Sequence, residues 1–155
     1  MIKVNVIIKN AGWYRYIKNP NNYIKRQINK INKKNEKLKK KKIHFSLLLS
    51  SEKVIKNLNW KFRKKNKSTD VLSFPFYAKK ELRKRLIEEK EIYLGDIIIN
   101  FNEIKDKKKL KNFKAEFNHL WIHGLVHLFG HDHKKEKDFL VMKKIEKKYS
   151  SFIND

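Results

Sequence analysis

Residues 119–133 read HLWIHGLVHLFGHDH and hold five of the six histidines of a 155-residue chain. His119, His123 and His127 recur every four residues and so fall on one stripe of a helix. At a rise of ~1.5 Å per residue the outer two stand ~12 Å apart, so one ion can take His119 with His123 or His123 with His127, never all three. Around the second pair the helix is apolar on almost every side: Leu120, Trp121, Ile122, Leu125, Val126, Leu128 and Phe129. A helix of that kind is buried, and the fold must be built around it. Buried imidazoles need partners, and burial favours the neutral form that binds metal. Gly130 supplies a helix stop, after which His131 and His133 both stand where a third ligand is needed. The spacing His123-x3-His127-x2-Gly130-x2-His133 matches the zincin-like motif H-E-x-x-H-x-x-G-x-x-H and favours His133. Three neutral imidazoles suit one zinc ion, with a fourth position left for water or substrate. His119, His131 and His44 are read as non-ligands. One position departs from the motif: Gly124 stands where a zinc protease carries its general-base Glu, which weighs against peptide hydrolysis.

Working outward, strands and helices interleave. IKVNVIIK (2–9), IHFSLLLS (43–50), DVLSFPF (70–76) and IYLGDIIIN (92–100) read as strands. The triple Ile of the last suggests burial on both faces. Pro75 has no N–H to donate, so the third strand ends there or lies at a sheet edge. A helix is expected from about Asn22, with Ile24, Ile28 and Ile31 inward. A second is capped by Ser51 and buries Val54, Ile55, Leu58 and Phe62. Residues 78–91 read as a short charged helix or a loop, and KLKKKK (37–42) as a solvated helix end or loop. The histidine helix covers about 111–129. A last helix covers 135–149, with Phe139, Met142, Ile145 and Tyr149 on its inner face. The expectation is one α+β domain over 1–155, with a four-stranded sheet and four to five helices.

The chain carries 40 Lys and Arg against 16 Asp and Glu, a net charge of +24. Such a field suits a polyanion such as nucleic acid. The abundance of Lys, Asn and Ile is also what AT-rich codons supply, so the charge has a second, genomic explanation. No cysteine is present, which excludes disulfides, thiolate zinc sites and cysteine nucleophiles. No signal peptide or membrane span is visible, and the chain reads as cytoplasmic. Asp132, between two histidines, is placed to orient a metal ligand. Asp70 and Asp96 lie at strand ends, where capping explains them as well as chemistry does.

HGLVHLFGHDH (123–133) resembles the fingerprint HGxLHLxGxDH of the YbeY family of bacterial rRNA maturation factors, with Val126 in place of Leu. LNWKFRKKNKSTDVLSFPF (58–76) and LGDIIIN (94–100) are similar to the family in the same order, so the resemblance spans nearly the whole chain. It implies a mixed four-stranded sheet and zinc on His123, His127 and His133. The activity it implies is a single-strand-specific endoribonuclease acting in 16S rRNA 3′-end processing and ribosome quality control, in contact with the small ribosomal subunit and its proteins. It also implies that Arg63 is catalytic. A guanidinium can hold a phosphate bidentately and stabilise charge that develops on it. Without the resemblance, Arg63 is a cation near a helix C-terminus. Two rivals stay open: a zinc protease, which lacks its Glu, and a non-catalytic ribosome-assembly factor whose zinc is a structural clamp closed by a fourth ligand such as His131.

Overall fold

Alternation along the first strand, β1 (Ile2–Ile8), turns Ile2 and Val4 into the core and Lys3 and Asn5 outward. The computed structural model describes residues 1–154. It places β1 beside β2 (Lys42–Ser50), β2 beside β4 (Glu91–Asn100), and β3 (Val71–Pro75) outside β4. The first two pairings are parallel and β3–β4 is antiparallel, giving a mixed sheet of order β1-β2-β4-β3. β3 is therefore an edge strand, and it ends at Pro75.

One irregularity in β4 decides which residues face inward. Register against β2 jumps from His44↔Tyr93 to Ser46↔Asp96, a bulge at Leu94 and Gly95. Gly95 has φ +131°, and a Cβ there would stand 2.1 Å from the Phe74 carbonyl oxygen. The extra residue shifts the alternation by one. Ile97 and Ile99 therefore join Ile92 and Leu94 in the main core, while Ile98 packs on the opposite face with Ile55 and Leu72. The isoleucine triplet is buried on both faces, as its composition predicts.

α1 (Pro20–Lys34), α4 (Leu110–Leu128) and α5 (Glu136–Asn154) form the layer over the main core. α2 (Glu52–Arg63) lies over the other face. α1 starts two residues earlier than expected because the Asn19 side chain accepts from the Asn22 N–H and Pro20 sits in the first turn. On its inner face Asn32 bonds both the N–H (2.7 Å) and the carbonyl (2.8 Å) of Ile2, completing an edge of β1 that no strand covers.

The charged segment 78–91 resolves into α3 (Lys79–Glu88), held by Leu82 in the core, and the start of β4. The lysine tract follows a short turn of helix, Glu36–Leu38, through a turn into β2, which opens at Lys42. Three expectations are corrected. Ser51 precedes α2 but makes no side-chain cap bond. Phe62 is 59% exposed, because the apolar stripe of α2 runs on past the residues that Ile55 and Leu58 cover. Phe139 is 46% exposed, since the first turn of α5 precedes the contact that buries Met142.

Candidate metal centre

α4 crosses the sheet at β3 and β4, and Gly124 is what lets it come so close. A Cβ at Gly124 would stand 2.7 Å from Ile97 Cγ2 and 3.1 Å from Ser73 Oγ. The position a zinc protease gives to its catalytic Glu is here filled by the sheet, so it lacks space as well as a carboxylate.

His123 and His127 lie one turn apart on the flank of α4, half-buried. α4 ends at Leu128, and Gly130, at φ +85°, reverses the chain as the sequence predicts. The reversal brings His133 back so that its ring centroid stands 5.0 Å from His127 and 5.7 Å from His123. One nitrogen from each of the three lies within 4.8 Å of the others.

Each helical imidazole is anchored from behind. His123 Nδ1 donates to Glu146 Oε1 at 2.7 Å, and His127 Nδ1 donates to the His131 carbonyl at 2.9 Å. Both anchors place the ring proton on Nδ1 and leave a lone pair on Nε2. The two Nε2 atoms face each other at 3.1 Å. Two lone pairs at that separation repel unless a cation or proton lies between them. Two nitrogens bound tetrahedrally to one zinc at ~2.0–2.1 Å would stand about 3.3 Å apart. This pair is therefore spaced to share one divalent cation, with His133 near enough to join as a third ligand. Burial, and then the neighbouring His123, hold the His127 pKa below its ordinary value, which keeps that ring neutral for binding.

The other histidines stay out of the cluster. His119 is exposed on the preceding turn, with its ring centroid 6.2 Å from that of His123. His131 contributes its backbone carbonyl, and burial, then Lys79 and Arg83, hold its ring's pKa below the ordinary value. His44 pairs with Glu91 on the sheet surface at 2.8 Å. Asp132 accepts from the His133 backbone N–H at 2.8 Å, with no hydrogen bond to an imidazole among the described residues, and so fixes the turn carrying His133. Burial disfavours its charged form, but the His133 N–H and Lys134 outweigh that, and its pKa lies below the usual carboxylate value.

Sequence reading missed Glu146. It sits 23 residues from its partner, on a different helix. Its signal was a carboxylate on the apolar stripe of α5, four residues after buried Met142 and three before buried Tyr149.

The three histidines line one wall of a cleft of about 890 Å³, which runs across the edge strand β3. Arg63, at the end of α2, lines the same cleft and donates through Nη2 to the Ser73 carbonyl at 3.2 Å. Lys65, Lys79 and Lys134 also reach the cleft. The loop after α2 is tied down by Asn59, which bonds the Lys67 carbonyl, and by Asn100, which bonds Ser68 and Thr69. Asp70 lines the cleft, but its Oδ1 accepts from the Val71 N–H and the Thr69 hydroxyl. Asp96, on the far side of the sheet, accepts from the Tyr93 hydroxyl.

Comparison with known proteins gives a consistent picture. The family model described as "Endoribonuclease YbeY" matches residues 8–154. A relative of that name from Pelagibacter ubique is 41% identical over 155 residues, covering 99% of this chain and 97% of its own. Another, from Ehrlichia canis, is 34% identical and covers 94% of this chain and 88% of its own. A Thermotoga maritima protein with a solution structure superposes with a TM-score of 0.60 at 26% identity, covering 99% of this chain and 89% of that one.

Proposed function

The chain belongs to the YbeY endoribonuclease family, and on that premise we propose that it is a zinc-dependent endoribonuclease cutting single-stranded RNA, with ribosomal RNA of the small subunit as its substrate. The observation that carries this reading is the pair of anchored imidazoles, whose Nε2 atoms face each other 3.1 Å apart in a cleft that Arg63 also lines.

His123, His127 and His133 would hold the ion, which when bound supplies a Lewis acid for a phosphoryl oxygen. Glu146 holds the proton on His123 Nδ1 and so keeps that ring turned toward the cleft. Arg63 faces the same space with only one of its donors committed to a backbone carbonyl among the described residues. Its remaining donors can grip the scissile phosphate and stabilise charge that grows on it as the bond breaks. Lys65, Lys79 and Lys134 hold the flanking backbone.

The rival readings lose support from named atoms. A protease would need a base where Gly124 abuts Ile97. A structural clamp would need a fourth protein ligand. The His131 ring is outside the cluster, and among the described residues only three side chains converge.

The test compares the unmodified protein, His123→Ala and Arg63→Ala on single-stranded RNA, with bound zinc measured for each. His123→Ala should lose both zinc and cleavage; Arg63→Ala should keep zinc and lose cleavage. Equal cleavage by all three would mean a contaminating nuclease and would end the proposal.

A further inference from the structure

Phe76 is 64% exposed, immediately beyond the edge strand, and lines the cleft together with Arg63 and the three histidines. Single exposed apolar side chains are ordinary on protein surfaces and by themselves mean nothing. Three features set this one apart. Its backbone is held in register past the end of β3, because its N–H donates to the Leu94 carbonyl at 2.8 Å. Its ring is flanked by Tyr77 (4.9 Å, 86°) and Tyr93 (5.7 Å, 72°), both nearly perpendicular to it, so it is steadied without being covered by a stacked partner. Tyr77 is backed in turn by the Arg85 guanidinium, 4.4 Å from its ring centre. The other strongly exposed aromatics, Tyr14, Trp60, Phe62 and Phe139, do not line this cleft.

A rigid, open aromatic face beside a basic, phosphate-sized wall is the arrangement that receives an unpaired base: cations track the backbone while the ring takes a π-face of any sequence. We propose that Phe76 is a nucleobase-stacking platform for the strand in this cleft. The inference rests on the nuclease reading of the site and adds to it the residue that recognises an unpaired nucleotide. In a duplex both faces of each base are already stacked, so a base must leave its stack to reach Phe76. The preference for single strands would thus reside in a side chain that touches neither the metal nor the scissile phosphate.

The experiment uses the full-length, zinc-loaded protein and a set of 2′-O-methylated single-stranded oligonucleotides, each carrying 2-aminopurine at a different position. Fluorescence quenching reports stacking on a ring, and titration reports affinity. The unmodified protein should quench one position selectively. Phe76→Leu, which keeps the apolar bulk but not the π-face, should lose that quenching and bind about ten- to hundredfold more weakly, the scale of one base–aromatic stack. Phe76→Trp should keep both. The dependence of affinity on salt should be the same in all three, since the same phosphates are neutralised. An abasic site at the quenched position should abolish the difference between the unmodified protein and Phe76→Leu. Equal quenching by the unmodified protein and Phe76→Leu, or no quenching at all, overturns the proposal. Cleavage of unmodified RNA is scored separately. Quenching without cleavage would leave the platform standing and sink the nuclease reading, and cleavage without quenching would do the reverse.

Discussion

The two walls of the cleft are built on opposite principles. On the histidine wall each helical side chain is half-buried and fixed from behind, His123 by Glu146 and His127 by the His131 carbonyl. On the basic side Arg63 and Lys65, at and just beyond the end of α2, are exposed, and among the described residues the Arg63 side chain has one hydrogen bond, 3.2 Å to the Ser73 carbonyl. A metal site demands donors placed to within a fraction of an ångström, whereas a phosphate backbone needs charge within reach. The contrast predicts that a change on the first wall acts steeply and locally, and a change on the second acts weakly and in proportion to charge.

The largest effect is expected at the ligands. His127→Ala should weaken zinc binding by more than about a hundredfold, beyond what losing an outer partner costs, as read by competition with a chromophoric chelator. Zinc affinity close to that of the unmodified protein would mean that the ion sits elsewhere and that this wall is not what it is taken to be.

Glu146 tests whether the anchoring matters as much as the ligands. Glu146→Ala removes the acceptor for His123 Nδ1 and should cost about 10–100-fold in zinc affinity. Glu146→Gln keeps an acceptor without the charge and should fall between that variant and the unmodified protein. If both variants bind zinc as tightly as the unmodified protein, the His123 ring is held by α4 alone.

Gly124 probes the same wall from its other side. Gly124→Ala must displace Ile97 or lift α4 from the sheet, and should cost about 1–3 kcal/mol in thermal or denaturant unfolding. The lift would also move His123 and His127 together relative to His133, so zinc affinity should fall along with stability. Full stability would show that the Ile97 side chain yields freely, and the close approach would then no longer explain the missing carboxylate.

What the sequence disclosed follows the same division. The helical histidines and His133 were legible because ligand spacing along one helix and its turn is local, and Gly130 marked where the chain comes back. The four strands were legible, β1 from its alternation and β4 from its isoleucine triplet, although the bulge at Gly95 was not, since it depends on β3 passing close by. Glu146 was hidden because its partner lies on another helix, and a lone carboxylate on an amphipathic stripe does not announce its contact. Phe62 and Phe139 were placed inward because helical periodicity says which side a residue faces, not how far along the helix the core extends. Arg63 had no signal of its own beyond position. Its meaning came from a family resemblance, and the fold then set it in the same cleft as the histidines.

The smallest predicted effect separates functional charge from genomic charge. A net charge of +24 arises from 40 basic residues against 16 acidic ones, and of the basic residues Arg63, Lys65, Lys79 and Lys134 line this cleft. Lys65→Ala combined with Lys134→Ala removes two cations from the lining of the cleft, whereas Lys25→Ala combined with Lys114→Ala removes two from a separate groove between α1 and α4. Both pairs lower the overall field equally. If the cleft holds the strand, the first pair should weaken single-stranded RNA binding a few-fold and lower the slope of log affinity against log salt by about 0.7 for each phosphate no longer neutralised. The second pair should leave that slope unchanged. Equal slopes for both pairs would mean that RNA responds to the field as a whole. The basic wall would then amount to Arg63 alone, and the contrast between the two walls would shrink to one guanidinium facing three imidazoles.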